Sequence, residues 1–181
     1  MSLTLILGPM KSGKSLELLS KVSPLEYTGK KVLYVTSTLN ERDSEIRSRA
    51  GVSAKAIKLK ELADIKEAFD VLAVDEIHMF PESDISIIRK WLESKKDVYL
   101  SGLDLSYTGK IFPIIAKLHE LKPENIISKV AVCDVCKKYT ARFTQITHVN
   151  GKEIFSGIPE VISEDSDYIY QARCFNCFKQ A

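Results

Sequence analysis

The sequence predicts an α/β fold in which a parallel sheet is flanked by helices and followed by a small metal-binding domain. Three observations carry this. Short apolar runs alternate with helix-spaced segments through the first two thirds of the chain, a glycine-bounded loop joins the first run to the first helix, and four cysteines in two CxxC pairs stand in the last third. Alternating strands and helices build parallel sheets covered on both faces.

Residues 3–7 form a short apolar run that ends at Gly8, and residues 14–22 place Leu16, Leu18, Leu19 and Val22 at roughly helical spacing. Residues 31–36 (KVLYVT) follow a Thr-Gly turn signal and read as a strand, as do 71–74 and 98–100. Helices are expected over 59–69, 83–94 and 111–121. From Ser128 onward β-formers and turn residues dominate, so a nucleotide-type domain is placed at 1–127 and a second domain at 128–181. The polar stretches 40–49 (NERDSEIRSR) and 163–167 (SEDSD) are read as mobile or solvated surface loops.

A chain of 181 residues holds one full α/β domain and a small appendage, which weighs against a helicase with its two ATPase lobes. The 26 Lys and Arg nearly balance 24 Asp and Glu, for a net charge of +2, so no broad field points to nucleic acid or an anionic membrane as partner. The opening MSLTLILG has no basic region before its apolar run, and no run approaches the roughly 20 residues of a membrane span, so a cytoplasmic protein is expected. In that reducing setting four cysteines are read as metal ligands rather than disulfides.

Gly8-Pro9-Met10-Lys11-Ser12-Gly13-Lys14-Ser15 fits G-x-x-x-x-G-K-[ST] and lies between an expected strand and an expected helix, which is the context this phosphate-binding motif requires. Glycines let backbone N–H groups and the helix N-terminus face an anion. Lys14 then reaches the β- and γ-phosphates of ATP, and the Ser15 hydroxyl ligates Mg²⁺. The fold is therefore read as the P-loop, RecA-like kind of α/β sheet.

Such a domain needs an acid after a second strand to hold the magnesium, and Asp75 after VLAV is that candidate. The adjacent Glu76 is left to take a proton from an attacking hydroxyl or to position a water. The competing readings are a helix cap for Asp75 and a surface carboxylate for Glu76; neither explains why both follow a strand in a chain with a phosphate loop. His78 reads as a packed or hydrogen-bonded histidine before it reads as a catalyst.

Cys133-Asp134-Val135-Cys136 and Cys174-Phe175-Asn176-Cys177 present four thiolates, the ligand set of a closed structural Zn²⁺ site of zinc-ribbon kind. A metal there would tether residues 137–173 at both ends, a length typical of lids and binding loops.

Together GPMKSGKS, NERDSEIRSRAG, VDEIHMF, SGLDLSYTGKIF, CDVCKKYTARFTQI and YQARCFNC resemble, in order and over nearly the whole chain, the zinc-containing P-loop family of thymidine kinases. The resemblance implies transfer of the ATP γ-phosphoryl to the 5′-hydroxyl of thymidine, with Glu76 as catalytic base. It also implies a thymine pocket under a loop held by the zinc domain. Met10, Met79, Phe80, Leu103 and Tyr107 fall at pocket positions, Val161 and Tyr170 at nucleoside-loop positions, and Arg42 in the segment near the phosphates. Homotetramers and inhibition by thymidine triphosphate are common in that family.

The chain departs from the family pattern at two places. Gln and two Phe usually follow the variable residue of the paired-acid block, where this chain has His78, Met79 and Phe80, exchanging a ring for a thioether. A glycine pair usual in the nucleoside loop is replaced by Asp165 and Ser166, and the arginine usual after the third cysteine by Phe175. Deoxyuridine or another deoxynucleoside is therefore the alternative substrate, and a nucleic-acid-stimulated ATPase the alternative class.

Overall fold

The computed structural model describes residues 2–40, 45–159 and 168–180. Arg42, Val161, Asp165 and Ser166, singled out above, lie outside them. The elements in chain order are β1 (Ser2–Leu7), α1 (Lys14–Val22), β2 (Val32–Ser37), β3 (Glu45–Arg47), β4 (Ser53–Lys55), β5 (Ile57–Leu59), β6 (Val71–Val74), α2 (Ile85–Glu93), β7 (Asp97–Gly102), α3 (Pro113–Glu120), β8 (Asn125–Ser128), β9 (Phe143–His148), β10 (Glu153–Ile154) and β11 (Tyr168–Arg173).

Six strands form one parallel sheet in the order β5-β2-β6-β7-β1-β8. Alternation along each strand divides its side chains between two apolar layers. Leu3, Leu5, Val98, Leu100, Leu72 and Val74 face the side covered by α2 and α3, where Ile88, Ile115 and Leu118 are fully buried. Ile6, Val71 and Ala73 face the other side, against Leu18, Leu19 and Val22 of α1. Each such aliphatic side chain taken fully out of water contributes roughly 1.5–3 kcal/mol, so both layers are needed to hold the sheet. Pro113 opens α3 at a position where its missing N–H costs no helical hydrogen bond.

One expected helix is absent. Residues 59–69 instead finish β5, make a single 3₁₀ turn (Leu62–Asp64) and run on toward β6. Leu59 is drawn into pairing with Ser37 of β2, the Asp84 carboxylate accepts the Leu62 N–H at 2.9 Å, and Leu62 and Phe69 are both buried. Sheet pairing and burial outweigh the helical spacing of this stretch. The polar stretch 40–49 also carries more structure than a loop, since Glu45–Arg47 pairs with Ser53–Lys55 as a hairpin and Ile46 is buried.

The C-terminal residues form a second, antiparallel sheet in the order β10-β9-β11, beside the four cysteines. β8, whose only apolar residues are Ile126 and Ile127, adds a sixth strand beside β1, and the ladder runs on as Lys129 N–H donates to the Leu7 carbonyl at 2.7 Å. No helix among the described residues is long and apolar enough to cross a membrane.

That last contact leaves no room above Gly8, where a Cβ would stand 2.6 Å from the Lys129 carbonyl oxygen. Gly8→Ala is expected to cost about 1–3 kcal/mol by overpacking, read as a lower urea midpoint with an unchanged slope.

Candidate active site

The C-terminal ends of β1, β6 and β7 meet at one edge of the sheet, the position where open parallel sheets bind ligands. β7 lies between the other two. Its register, Leu100 beside Val74 and Gly102 beside Leu7, brings the residues after β6 level with the loop after β1, two strand spacings or roughly 10 Å apart.

Residues 8–15 wrap this edge. Gly13 takes a left-handed conformation (φ 78°, ψ 26°) that lets the chain turn directly into α1 with its first N–H groups facing outward. Lys14 is buried and its Nζ donates to the Pro9 carbonyl at 2.8 Å, as does the Ser12 hydroxyl at 2.8 Å. Burial pulls the Lys14 pKa down, while the Glu76, Asp75 and Asp104 carboxylates oppose that shift. Above the loop is a cavity of about 260 Å³ whose wall includes Gly13, Lys14, Ser15, Arg49 and Glu76. A cavity faced by a buried cation and a helix N-terminus suits a polyphosphate.

Asp75 is buried and accepts a hydrogen bond from the Ser101 hydroxyl, one register step beyond Val74 and Leu100. Burial and the neighbouring Glu76 charge push its pKa up to about 6, against the Ser101 and Ser15 hydroxyls and Lys14, which favour the carboxylate. The Ser15 hydroxyl and the Asp75 carboxylate are the hard oxygen donors that magnesium prefers, so they fit that ion.

Glu76 is a non-glycine residue in the left-handed region (φ 56°, ψ 42°), a strained conformation of the kind that clusters at functional sites. Its Oε2 is buried without a hydrogen-bond partner among the described residues. The nearest ring nitrogen, His78 Nδ1 at 3.5 Å, already accepts the Leu103 N–H at 3.2 Å and so presents a lone pair. Burial, and then Lys14, lower the His78 pKa to about 3, which keeps the ring neutral. Its ring also lies 4.9 Å from that of Phe112, and a Cβ on Gly102 would come within 3.1 Å of Nδ1. His78 is thus a packed, hydrogen-bonded histidine.

Met10 joins the cavity to the core: it lines the phosphate side and packs against the α2/α3 layer, where Phe80 and Leu103 are buried. Met79 is half-buried on the 3₁₀ turn beside His78. Tyr107 and Tyr170 sit apart from these, in an apolar cluster with Ile146 and Ile154, and the Tyr107 hydroxyl donates to the Ile158 carbonyl at 2.9 Å. The structure therefore brings Lys14, Ser15, Asp75 and Glu76 together directly. Ser101, Gly102 and Arg49 lie within the blocks SGLDLSYTGKIF and NERDSEIRSRAG, but no residue pattern marks them individually.

The sulfur atoms of Cys133, Cys136, Cys174 and Cys177 lie within 4.8 Å of one another, and Cys136 and Cys174 Sγ are 3.7 Å apart. A tetrahedron with Zn–S bonds of about 2.3 Å has edges of about 3.8 Å, so the cluster fits a closed zinc site. Burial opposes ionisation of Cys133, but the Cys136, Cys174 and Val135 N–H groups outweigh it and bring its pKa down to about 6.

The thymidine kinase family profile matches residues 1–181. The chain belongs to the thymidine kinase family. A thymidine kinase of Pseudothermotoga lettingae is 34% identical over 184 residues, covering 98% of this chain and 95% of that protein. One from African swine fever virus (isolate Warthog/Namibia) is 30% identical, covering 98% and 89%. A third, from Chloroflexus aurantiacus, is 28% identical, covering 97% and 93%. As a thymidine kinase with a four-cysteine cluster, the chain is consistent with the zinc-containing type of this family.

The neutral histidine has a measurable consequence. Its folded pKa of about 3 lies below the unfolded value of about 6.5, so its contribution is fully present above pH 6.5 and is lost as pH falls toward 3. Between pH 7.5 and 5.5 the protein is expected to lose about 1 kcal/mol more unfolding free energy than His78→Gln, measured by urea denaturation of both at each pH.

Proposed function

We propose that this protein transfers the γ-phosphoryl group of ATP to the 5′-hydroxyl of thymidine, with Glu76 as the base. The observation that carries the reading is the Glu76 carboxylate: strained, part-buried, with one oxygen left unpaired at the wall of a phosphate-binding cavity. The thymidine oxygen attacks the γ-phosphorus, the bond to the β,γ-bridging oxygen breaks, ADP leaves, and the hydroxyl proton passes to Glu76 Oε2. Because His78 Nδ1 already accepts the Leu103 N–H, it does not donate to Oε2 and leaves that oxygen free to take the proton.

Residues 8–15 bind the triphosphate, with Lys14 countering charge on the β- and γ-phosphates and Arg42 assigned to the phosphates from the sequence motif. Ser15 and Asp75 are the residues that would hold magnesium, which neutralises phosphate charge when bound. The nucleoside is assigned to Met10, Met79, Phe80, Leu103 and Tyr107 on one side and to Val161 and Tyr170 on the loop side. In this reading residues 1–127 carry the phosphoryl donor and 128–181 the zinc lobe and acceptor loop. Assembly as a homotetramer follows from the family resemblance and is checked by sedimentation.

The direct test is incubation with ATP, magnesium and each deoxynucleoside in turn. Equimolar thymidine monophosphate and ADP are expected. Conversion of deoxyuridine or another nucleoside, with thymidine untouched, would move the assignment to the substrate favoured by the His78 and Met79 departures.

Glu76→Gln keeps the shape of the side chain and removes its basicity. It is expected to lower kcat by roughly 10²–10⁴-fold while calorimetry shows ATP binding little changed; wild-type turnover in this variant would exclude Glu76 as the base. For the metal, atomic absorption is expected to find one zinc per chain. Cys174→Ser should lose that zinc and melt at a lower temperature, since binding of a structural zinc contributes to folding.

A further inference from the structure

The turn at the tip of the β3–β4 hairpin is closely hydrogen-bonded. Ser48 N–H donates to the Val52 carbonyl at 2.8 Å, Val52 N–H to the Ser48 hydroxyl at 3.1 Å, and Gly51 N–H to the Ser48 carbonyl at 3.0 Å. The hairpin is anchored as well: Ile46, 1% exposed, packs in the same layer as Leu18, Leu19 and Val22 of α1, the helix that leaves the phosphate loop. The direction in which Arg49 leaves this turn is therefore set by the scaffold that sets the loop.

Arg49 lines the phosphate cavity together with Lys14, Ser15 and Glu76. Its charge is felt there, since it is among the groups that pull the Lys14 pKa down. Of the four cations that line this cavity, Lys11 is paired with Asp134 at 2.8 Å, while Lys14 and Arg49 face a lining whose carboxylate is Glu76, so the like charges repel until an anion enters. Arg47 also lines the cavity but lies 3.6 Å from the Glu45 carboxylate, which shares its charge. Glu76 marks the end of the cavity where the phosphoryl group is handed on, and Arg49 lines that same cavity and acts on the Lys14 charge, which puts its guanidinium within reach of the terminal phosphate.

We propose that Arg49 binds the γ-phosphoryl group of ATP and stabilises the charge on its oxygens during transfer. The assignment rests on the phosphoryl-transfer reading above. A guanidinium suits this task because its planar fork offers two parallel N–H donors to phosphate oxygens.

The test compares Arg49→Ala, Arg49→Lys and, as a control of equal charge change, Arg89→Gln on α2. Two quantities are measured: kcat with thymidine, and the Kd values of the magnesium complexes of ATP and ADP by calorimetry without nucleoside. For Arg49→Ala a fall in kcat of about a hundredfold is expected, as for loss of one preorganised charged donor. ATP should bind more weakly while ADP binding stays unchanged, because ADP lacks the group Arg49 contacts. Arg49→Lys should recover part of both effects, and Arg89→Gln should match the wild type. Wild-type kcat and an unaltered ATP-to-ADP affinity ratio in Arg49→Ala would overturn the proposal. So would equal weakening of both nucleotides, the mark of a merely structural role. If the wild type fails to phosphorylate thymidine, the function assigned above falls, while the affinity ratio still decides the role of Arg49.

Discussion

Lys14 carries an ammonium group into the end of a parallel sheet, where it is 6% exposed and held by the Pro9 carbonyl. A buried cation is expensive unless opposite charge stands near it. Asp75, Glu76 and Asp104 supply that charge, and each is distorted in return. Burial together with Glu76 raises the Asp75 pKa to about 6, burial raises that of Asp104, and Glu76 sits in a left-handed backbone well. Anionic phosphate oxygens would find their counter-charge in Lys14, and a hard cation would find an oxygen donor in Asp75.

Holding that cluster in place is a task for the sheet register rather than for local sequence. Ser101 reaches Asp75 because Leu100 pairs with Val74, and the absence of a side chain at Gly102 lets the Ile77–Met79 turn lie against the end of β7. His78 then completes the connection by taking the Leu103 N–H, so the turn that carries Glu76 and the segment leading to Tyr107 share one anchor. A protonated histidine would offer Glu76 a hydrogen bond and occupy the oxygen that the proposed mechanism uses as proton acceptor. Burial prevents this.

The parts of this architecture that were legible in the sequence are those whose signal is local. The phosphate loop, the apolar run before Asp75 and Glu76, and the paired cysteines each need only a few consecutive residues to be recognised, and each sits in the expected order. What was not legible depends on partners far along the chain. Residues 59–69 have helical spacing but surrender it to a pairing with β2, and β8 is polar enough at its ends to pass for a connection. Arg49 lies in a stretch that reads as solvated loop, and its place on the cavity wall follows from the packing of Ile46 beside α1 and the hydrogen-bonded turn at Ser48.

The cysteine lobe is joined to the phosphate loop as well as to its own sheet. Asp134, between the first two cysteines, accepts the Ala172 N–H at 2.7 Å and pairs with Lys11 of the loop at 2.8 Å; Thr144 of β9 accepts the Met10 N–H at 3.0 Å. Lys11 is itself in a left-handed conformation (φ 65°), one that an L-residue keeps only when its surroundings impose it. The exposed ion pair contributes little energy by itself. Its value is geometric: Asp134 is held on one side by β11, which carries Tyr170, and on the other by the loop that cradles phosphate. A shift of the cysteine cluster would therefore move the phosphate loop and β11 at once, so a structural metal in that cluster would set the distance between them without touching either.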